Sequence, residues 1–443
     1  MDKKGCQDIF LSPKSRQRII QLDYIEGVDI LKATGIVVEY NPLHNGHVYH
    51  AQQARMTTGA DVIIAVMSGN FLQRGEPAFV DKWTRTKMAL ASGVDIVFEL
   101  PYRFATANAP VFALGAIKLL DAARCSAFCF GSEDGNIEPF HNSLQLIDRY
   151  SDEYESAVKN AVAEGISYPM ALNKAYKAIL AGQPAIPVAD LSMPNNILGF
   201  HYMEAALSMG SSMEAVTIKR MGAGYHDETL DSQKIASATG IRKSFFGSEK
   251  LDNISDFIPP ATNNLLHEWQ SERTGFGNWE SFYPFLRFVI LRDGPSQLRS
   301  LADVSEGIEN LIFRAAQSHD SFQSFMDAVK SKRYTWTRIQ RMLTHILTGF
   351  TKKKQAEMED PTYLRLLGMT NEGRTYLNRQ KKDLSLPLIS KVASFSDPSL
   401  DMDVTASDIY ALVVGKGMGD GKIGLDYQTS PIIVNHFSSK PFK

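Results

Sequence analysis

Cysteine is scarce in this 443-residue chain, which holds only Cys6, Cys125 and Cys129. Three thiols cannot staple a fold of this size, and the Cys125/Cys129 pair lies in an apolar stretch without histidine nearby. A disulfide framework is therefore excluded and a zinc site argued against, so no metal ligand is assigned; the cysteines read as small buried hydrophobes. Long apolar runs are missing too. None approaches the roughly 20 residues that a membrane-spanning helix needs, and Met1 to Arg18 lack the apolar core of a signal peptide, so a cytoplasmic protein without a membrane partner is expected. Nor is there an excess of one charge. A net charge of −2 means that the overall field does not attract nucleic acid, and any RNA contact must come from a local basic patch. What is present is ordinary for a folded protein: 44% hydrophobic and 22% charged residues. The length exceeds what one core usually supports, so two domains are expected, and nothing points to a stable protein partner.

Residues 1–32 mix charges without a clean period and read as an extension outside the core fold, poorly ordered. From Gly35 the pattern becomes short apolar runs, Ile36 to Tyr40, Val62 to Met67, Ile96 to Leu100 and Ala127 to Phe130, ending in polar or glycine-containing turns. Each is apolar on both faces, as in a parallel sheet covered by helices. Between them His47 to Met56, Lys82 to Ala91 (with Asp81 placed to cap) and Pro110 to Ala122 have helical spacing. The pattern βαβαβαβ predicts an α/β, doubly wound parallel sheet over 33–256, with a further strand at Ala215 to Arg220 and a helix at Ser232 to Phe246. Pro259 and Pro260 mark a linker over 257–264. Amphipathic stretches then predict a helical domain over 265–400, followed by a C-terminal segment over 401–443, and short apolar runs from about 384 point to a small terminal subdomain returning toward the first. In such sheets ligands bind at the carboxyl ends of the strands, here Glu39 to Pro42, Ser68 to Asn70, Glu99 to Pro101 and Gly131 to Glu133.

The run Gly35 to His47 is a strand, a proline turn and a helix start, ending His44-Asn45-Gly46-His47. A helix N-terminus offers unpaired amides and partial positive charge, and Gly46 clears a side chain where a triphosphate would approach. Two imidazoles three residues apart can donate hydrogen bonds to an α-phosphate as charge builds on it. The alternative, two ordinary surface or core histidines, loses ground because the pair follows a buried strand and opens a helix.

The element resembles the HxGH motif of the nucleotidyltransferase superfamily. The longer stretches Val37 to Pro42, Ser68-Gly69-Asn70-Phe71, Gln73 to Pro77, Asp81 to Arg85, Glu99-Leu100-Pro101, Phe130 to Glu133, Pro194 to Gly199, Lys219-Arg220, Gly222 to His226 and Lys332 to Thr335 are similar to the tRNA(Met) cytidine acetate ligase family. The resemblance covers the chain from about 33 into the C-terminal domain. It implies a sheet of the nucleotidyltransferase (HUP) type with a mainly helical C-terminal domain. It also implies that acetate attacks the α-phosphate of ATP to give acetyl-adenylate and pyrophosphate, Mg2+ accompanying ATP. Acetyl then passes to the wobble cytidine of elongator tRNA(Met), giving N4-acetylcytidine. The nucleotide site it implies comprises Val37, Val38, Glu39, Tyr40, Asn41, Pro42, Leu43, His44, Asn45, Gly46, His47, Val48, Tyr49, His50, Gly131, one of Asn195 and Asn196, and Arg220.

The residues support several of these roles separately. Gly131 ends a strand where a side chain would collide with a base or ribose, although an ordinary turn glycine reads the same way. Arg220 offers a cationic fork to phosphate, or is a surface residue after an edge strand. Ser237, Thr239 and Arg242 look like a second phosphate-holding helix start, or a plain N-cap. Ser68, Asn70, Gln73 and Arg74 suit a carboxylate or RNA contact, or simply a structured loop. Glu133 either organises the acceptor amine or caps a helix. Ser331 to Lys354 holds Lys332, Arg333, Arg338, Arg341, Lys352, Lys353 and Lys354 without an acidic residue, with Tyr334 and Trp336 interleaved: an RNA face, or a solvated helix with its aromatics turned inward. Arg374, Arg379, Lys381 and Lys382 would extend it. Two other functions share the motifs: a coenzyme-type adenylyltransferase acting on a phosphorylated small molecule, which leaves the basic C-terminal part unexplained, and a non-catalytic RNA-binding scaffold.

Overall fold

The computed structural model describes residues 31–164, 166, 168–181, 186–220, 236–273, 275–331, 333–415 and 423–435. The expectation for 1–32 falls almost wholly outside them. The apolar runs form β1 (Ala33–Val38), β2 (Val62–Ser68), β3 (Ile96–Leu100) and β4 (Ala127–Ser132), with β5 at Glu214–Lys219. β2 and β3 are buried at every residue, the reason their sequences do not alternate. Helices Asn45–Thr58, Lys82–Ala91 and Ala109–Ala122 connect them. Asp81 caps the second as its carboxylate accepts the Thr84 amide at 2.7 Å.

Three more strands, β6 (Leu364–Thr370), β7 (Leu388–Ile389) and β8 (Ile432–Val434), complete a sheet of order β5-β4-β1-β2-β3-β6-β7, with β8 paired to β6. Helices cover both sides of this mostly parallel sheet. All described pairings are parallel except β3 with β6. After β1 the chain builds toward β2 and β3, whereas β4 and β5 lie on its other side. The turns leaving β1 and β4 therefore diverge and open a crevice between them.

The second half of the chain is more entangled with this sheet than the division at 257–264 anticipates. Pro260 is the first residue of a helix, Pro260–Glu272, where a missing N–H costs nothing. The helix expected from Ser232 starts at Ala238, residues 221–235 lying outside the described set. β6 comes from inside the 265–400 segment and supplies a sheet strand. Ile36 and Met67 of the sheet share one hydrophobic core with Phe282, Leu343 and Tyr410 from the later helices.

Arg365, the second residue of β6, is accommodated by a buried charge cluster. Lys82 donates to both oxygens of Glu99 at 2.8 and 2.9 Å and to Asp426 at 2.9 Å. Arg365 sits 2.9 Å from Glu99 and 3.0 Å from Asp426, close but off the hydrogen-bond axis. Two cations thus balance two carboxylates, all essentially without solvent exposure. Burial alone would raise the Asp426 pKa, but Lys82 and Arg365 pull it below the usual carboxylate range. Glu99, expected at the ligand edge of the sheet, is committed to this cluster.

Candidate functional site

Beyond the ends of β1 and β4 lies a cavity of about 1290 Å3. Its floor is the start of the helix Asn45–Thr58. His44 is the N-cap, and its Nδ1 accepts the Gly46 amide at 3.1 Å; the His47 Nδ1 in turn accepts the His44 amide at 3.2 Å. The rings stack at 3.7 Å between centroids, and Tyr40 meets His47 edge-on at 5.0 Å. Because a backbone amide donates to each Nδ1, the neutral rings carry their proton on Nε2. Burial lowers the His44 pKa to about 3, with Arg220 and Arg242 adding to the effect, and burial followed by His44 and Arg220 holds His47 well below its ordinary value. The pair is thus two uncharged Nε2–H donors at a helix mouth. His50, one turn on, has an orphaned buried Nε2; burial and then Arg220 lower its pKa to about 4.

Arg85 bolts this edge together, donating to the carbonyls of Glu39 at 2.8 Å, Ser68 at 2.9 Å, Val80 at 3.1 Å and Gly69. It falls in the Asp81 to Arg85 stretch that carries the resemblance, but its role is not legible there, since most of its partners are carbonyls brought in by turns distant in sequence. The Glu39 carboxylate accepts the Gln73 amide at 2.8 Å; burial raises its pKa, partly opposed by that bond and by Arg74. Arg242 donates to the Asn41 carbonyl at 2.8 Å and to Glu76 at 3.0 Å. Arg220 donates to Asn195 Oδ1 at 2.6 Å, and Asn195 Nδ2 to Glu133 at 2.9 Å.

Of the nucleotide-site residues named from sequence, Val37, Val38, Glu39, Tyr40, Asn41, His44, Gly46, His47, Tyr49, His50, Gly131, Asn195 and Arg220 line the cavity. Pro42, Leu43, Asn45, Val48 and Asn196 do not. Leu43 and Val48 are core; Asn45 donates to the Asp256 carbonyl at 3.0 Å. The adjacent asparagines separate: Asn195 faces the cavity, while buried Asn196 accepts the Glu133 amide and donates to the Asp190 carbonyl, each at 3.2 Å. Gly131 admits Arg220 rather than a ligand at closest approach, since a Cβ there would stand 3.0 Å from the Arg220 Cγ. Arg74, Ser237, Thr239 and Arg242 line the cavity, although Ser237 also caps its helix by accepting the Gly240 amide at 3.0 Å.

Ser68 and Asn70 are not brought to the cavity. The loop after β2 turns inward, and Asn70 accepts the Lys82 amide at 2.7 Å and donates to Ser407 at 3.2 Å. In the basic stretch Arg333, Arg338, Arg341 and Lys352 line the cavity; Lys353 and Lys354 lie on the neighbouring short helix, and Lys332 lies outside the described residues. Tyr334 is buried, its hydroxyl donating to Glu306 at 2.9 Å and its ring lying under Arg338 at 4.8 Å, so it is not presented for stacking. Trp336 also packs toward the core. The helix Asn371–Gln380 carrying Arg374 and Arg379 is not in the wall.

In sum, seven cations (Arg74, Arg220, Arg242, Arg333, Arg338, Arg341 and Lys352) face four carboxylates (Glu39, Glu76, Asp303 and Glu306) around one cavity. A chain of net negative charge thus concentrates positive charge where a polyanion would enter. No group of three or more His, Cys, Asp or Glu suited to a metal occurs among the described residues. No helix among them is long and apolar enough to cross a membrane.

The family profile described as HIGH Nucleotidyl Transferase matches residues 31–420. The tRNA(Met) cytidine acetate ligase of Lysinibacillus sphaericus is 52% identical over 402 residues, spanning 91% of this chain and 100% of the relative. That of Bacillus subtilis is 46% identical over 392 residues, 87% and 93% of the two chains. A crystal structure of apo Thermotoga maritima TmcAL superposes with a TM-score of 0.84, and one bound with alpha-thio ATP with 0.82; each is 31% identical and covers 92% of this chain and 100% of the other.

Proposed function

Because the chain belongs to the tRNA(Met) cytidine acetate ligase family, we propose that it activates acetate with ATP and transfers the acetyl group to the wobble cytidine of elongator tRNA(Met) in the cytoplasm. An acetate oxygen attacks the α-phosphorus, pyrophosphate leaves, and acetyl-adenylate forms. The exocyclic amine of cytidine then displaces AMP to give N4-acetylcytidine.

The observation that carries this reading is the state of the two histidines. Their Nδ1 atoms accept backbone amides, so both Nε2–H groups are free to donate to α-phosphate oxygens as negative charge grows there. Neutral rings suit the task, because they stabilise charge without first losing a proton. Such a donor contributes roughly 2.7–4 kcal/mol to the transition state. Arg220, held by Asn195, and Arg242, held by Asn41 and Glu76, supply fixed charge for the phosphates. The backbone of Val37 to Asn41 and Gly131 bounds the adenosine, with the helix mouth at Gly46 against the phosphates. Mg2+ would accompany ATP and offset the charge of its phosphates; among the described residues no group of three or more His, Cys, Asp or Glu is suited to hold a metal. Arg333, Arg338, Lys352, Lys353 and Lys354 track the RNA backbone, positioning the tRNA without reading its sequence.

The test is exchange of labelled pyrophosphate into ATP by purified protein. Exchange that requires acetate is expected without tRNA; its absence, with the protein folded, contradicts the reading.

A further inference from the structure

The cavity is larger than the roughly 300–1,000 Å3 that holds one small ligand, and its four carboxylates differ in one respect. Glu39 accepts the Gln73 amide, Glu76 accepts from Arg242, and Glu306 is paired with Arg333 at 2.8 Å and accepts from Tyr334. Asp303 accepts no hydrogen bond from any described residue. The nearest basic side chains, Arg341 through Nε and the neutral ring of His345 through Nε2, each stand 3.8 Å away, beyond hydrogen-bond reach, and its side chain keeps 31% of its exposure.

Asp303 is also held in an uncommon way. Its φ is +61°, in the left-handed region that non-glycine residues seldom occupy, and Glu306 follows at +62°. Arg341 sits on the helix Trp336–Thr348, pressed against the loop of Gln73 to Glu76 so closely that a Cβ on Gly75 would lie 2.3 Å from the Arg341 amide. Its Nε is buried without a hydrogen-bond partner. His345 does not compete for Asp303. Its Nδ1 is bonded to the Tyr102 hydroxyl at 2.9 Å, and burial lowers its pKa to about 4 although Asp303 pulls the other way. An unclaimed acceptor and an underused donor thus stand side by side in the wall of the cavity that the two histidines also line.

We propose that Asp303 and Arg341 form the acceptor-base subsite, Asp303 accepting from the N4 amine of an unstacked cytosine and Arg341 donating to N3 or O2. This rests on the acetyl-transfer reading. Cytosine presents a donor beside two acceptors on its pairing edge, matching an acceptor beside a donor on the protein. Uracil reverses the first two positions and would set a carbonyl oxygen against the carboxylate. In the transfer step the N4 lone pair attacks the acetyl carbonyl carbon, the bond to the AMP oxygen breaks and AMP keeps the electron pair. The N4 proton passes to the Asp303 carboxylate and then to water.

The experiment compares full-length wild type, Asp303→Asn and Arg341→Gln in two assays. Asparagine tolerates the left-handed backbone, so Asp303→Asn changes charge with little change of shape. Acetate-dependent pyrophosphate exchange is expected within about twofold of wild type in both variants, since adenylation does not involve the subsite. Single-turnover acetyl transfer to tRNA is expected to fall roughly 100- to 10,000-fold in Asp303→Asn, the range for losing a general base, and to fall also in Arg341→Gln. As a readout that a purely structural role would not move, tRNA with wobble C changed to U should compete poorly against wild type but as well as native tRNA against Asp303→Asn. Unchanged transfer, or equal losses of exchange and transfer in both variants, would overturn the subsite. Wild type that fails to exchange pyrophosphate at all would overturn the acetyl-transfer reading itself, and the subsite with it.

Discussion

Replacing His47 tests the site most finely, because its ring has two separable tasks. Nδ1 accepts the His44 amide at 3.2 Å and closes the helix cap, while Nε2 is the atom proposed to donate to the α-phosphate. His47→Ala loses both. The cap is worth about 1 kcal/mol, which in a body of this size lowers the apparent Tm by roughly 1–2 °C. The lost donor costs roughly 2.7–4 kcal/mol in the transition state, about 100- to 1,000-fold in rate. His47→Asn divides the two. Its Oδ1 can still take the His44 amide, so the Tm should stay within about a degree of wild type, while exchange falls as far as in alanine. His47→Gln does the converse: its terminal amide reaches the neighbourhood of the imidazole Nε2 but gives up the acceptor at Nδ1. It should melt like alanine yet keep exchange within about tenfold of wild type, a residual cost near 1.4 kcal/mol. The assays are acetate-dependent pyrophosphate exchange and thermal melting. His47→Asn with wild-type exchange would refute the donor role, and His47→Asn melting like alanine would refute the cap.

Three further outcomes follow from the same geometry. The pH dependence of kcat/KM for ATP reports the free enzyme, and since burial lowers the His44 pKa to about 3 and His47 well below its ordinary value, no inflection near 6.5 should appear between about pH 5.5 and 8; a histidine-like acid limb there would contradict the neutral-donor account. The sign for stability is the same: these depressed pKa values stabilise the fold above the unfolded value near 6.5, and that contribution is lost as pH falls toward 3. Arg365→Met leaves Glu99 and Asp426 sharing only Lys82, an uncompensated buried charge costing about 3–5 kcal/mol, so thermal melting should show a marked fall, and an unchanged Tm would mean that the cluster is not a closed set. Asn195→Ala should raise KM for ATP several-fold in steady-state kinetics by releasing Arg220, whereas Asn196→Ala should lower the Tm with less effect on KM; the reverse pattern would reassign the two.

The local part of this structure is written plainly in the sequence. Strand β3 and the helix Lys82–Ala91 fall where their apolar pattern and the Asp81 cap put them, and the histidine-glycine turn marks its own helix mouth. What stays hidden depends on residues far apart. β6 escapes notice because Arg365 breaks its apolar run, and only Glu99 and Asp426 make that arginine tolerable inside a sheet. Ser68 and Asn70 occupy a strand end that is ordinarily a ligand edge, yet Asn70 is turned inward by the Lys82 amide and Ser407. Tyr334 reads as a stacking platform until Glu306 and the core claim it. Pro259 and Pro260 resemble a linker because proline signals both a break and a helix start, and only the following packing distinguishes them. Asp303 carries no local signal, since its meaning comes from a backbone torsion and from Arg341.

This chain is expected to make N4-acetylcytidine from free acetate. Purified protein, ATP, Mg2+, isotopically labelled acetate and unmodified elongator tRNA(Met) are incubated without acetyl-CoA, and the tRNA nucleosides are analysed by mass spectrometry. Labelled N4-acetylcytidine at the wobble position is the predicted result. Cytidine left unmodified there, while the same protein exchanges pyrophosphate with acetate, would contradict it.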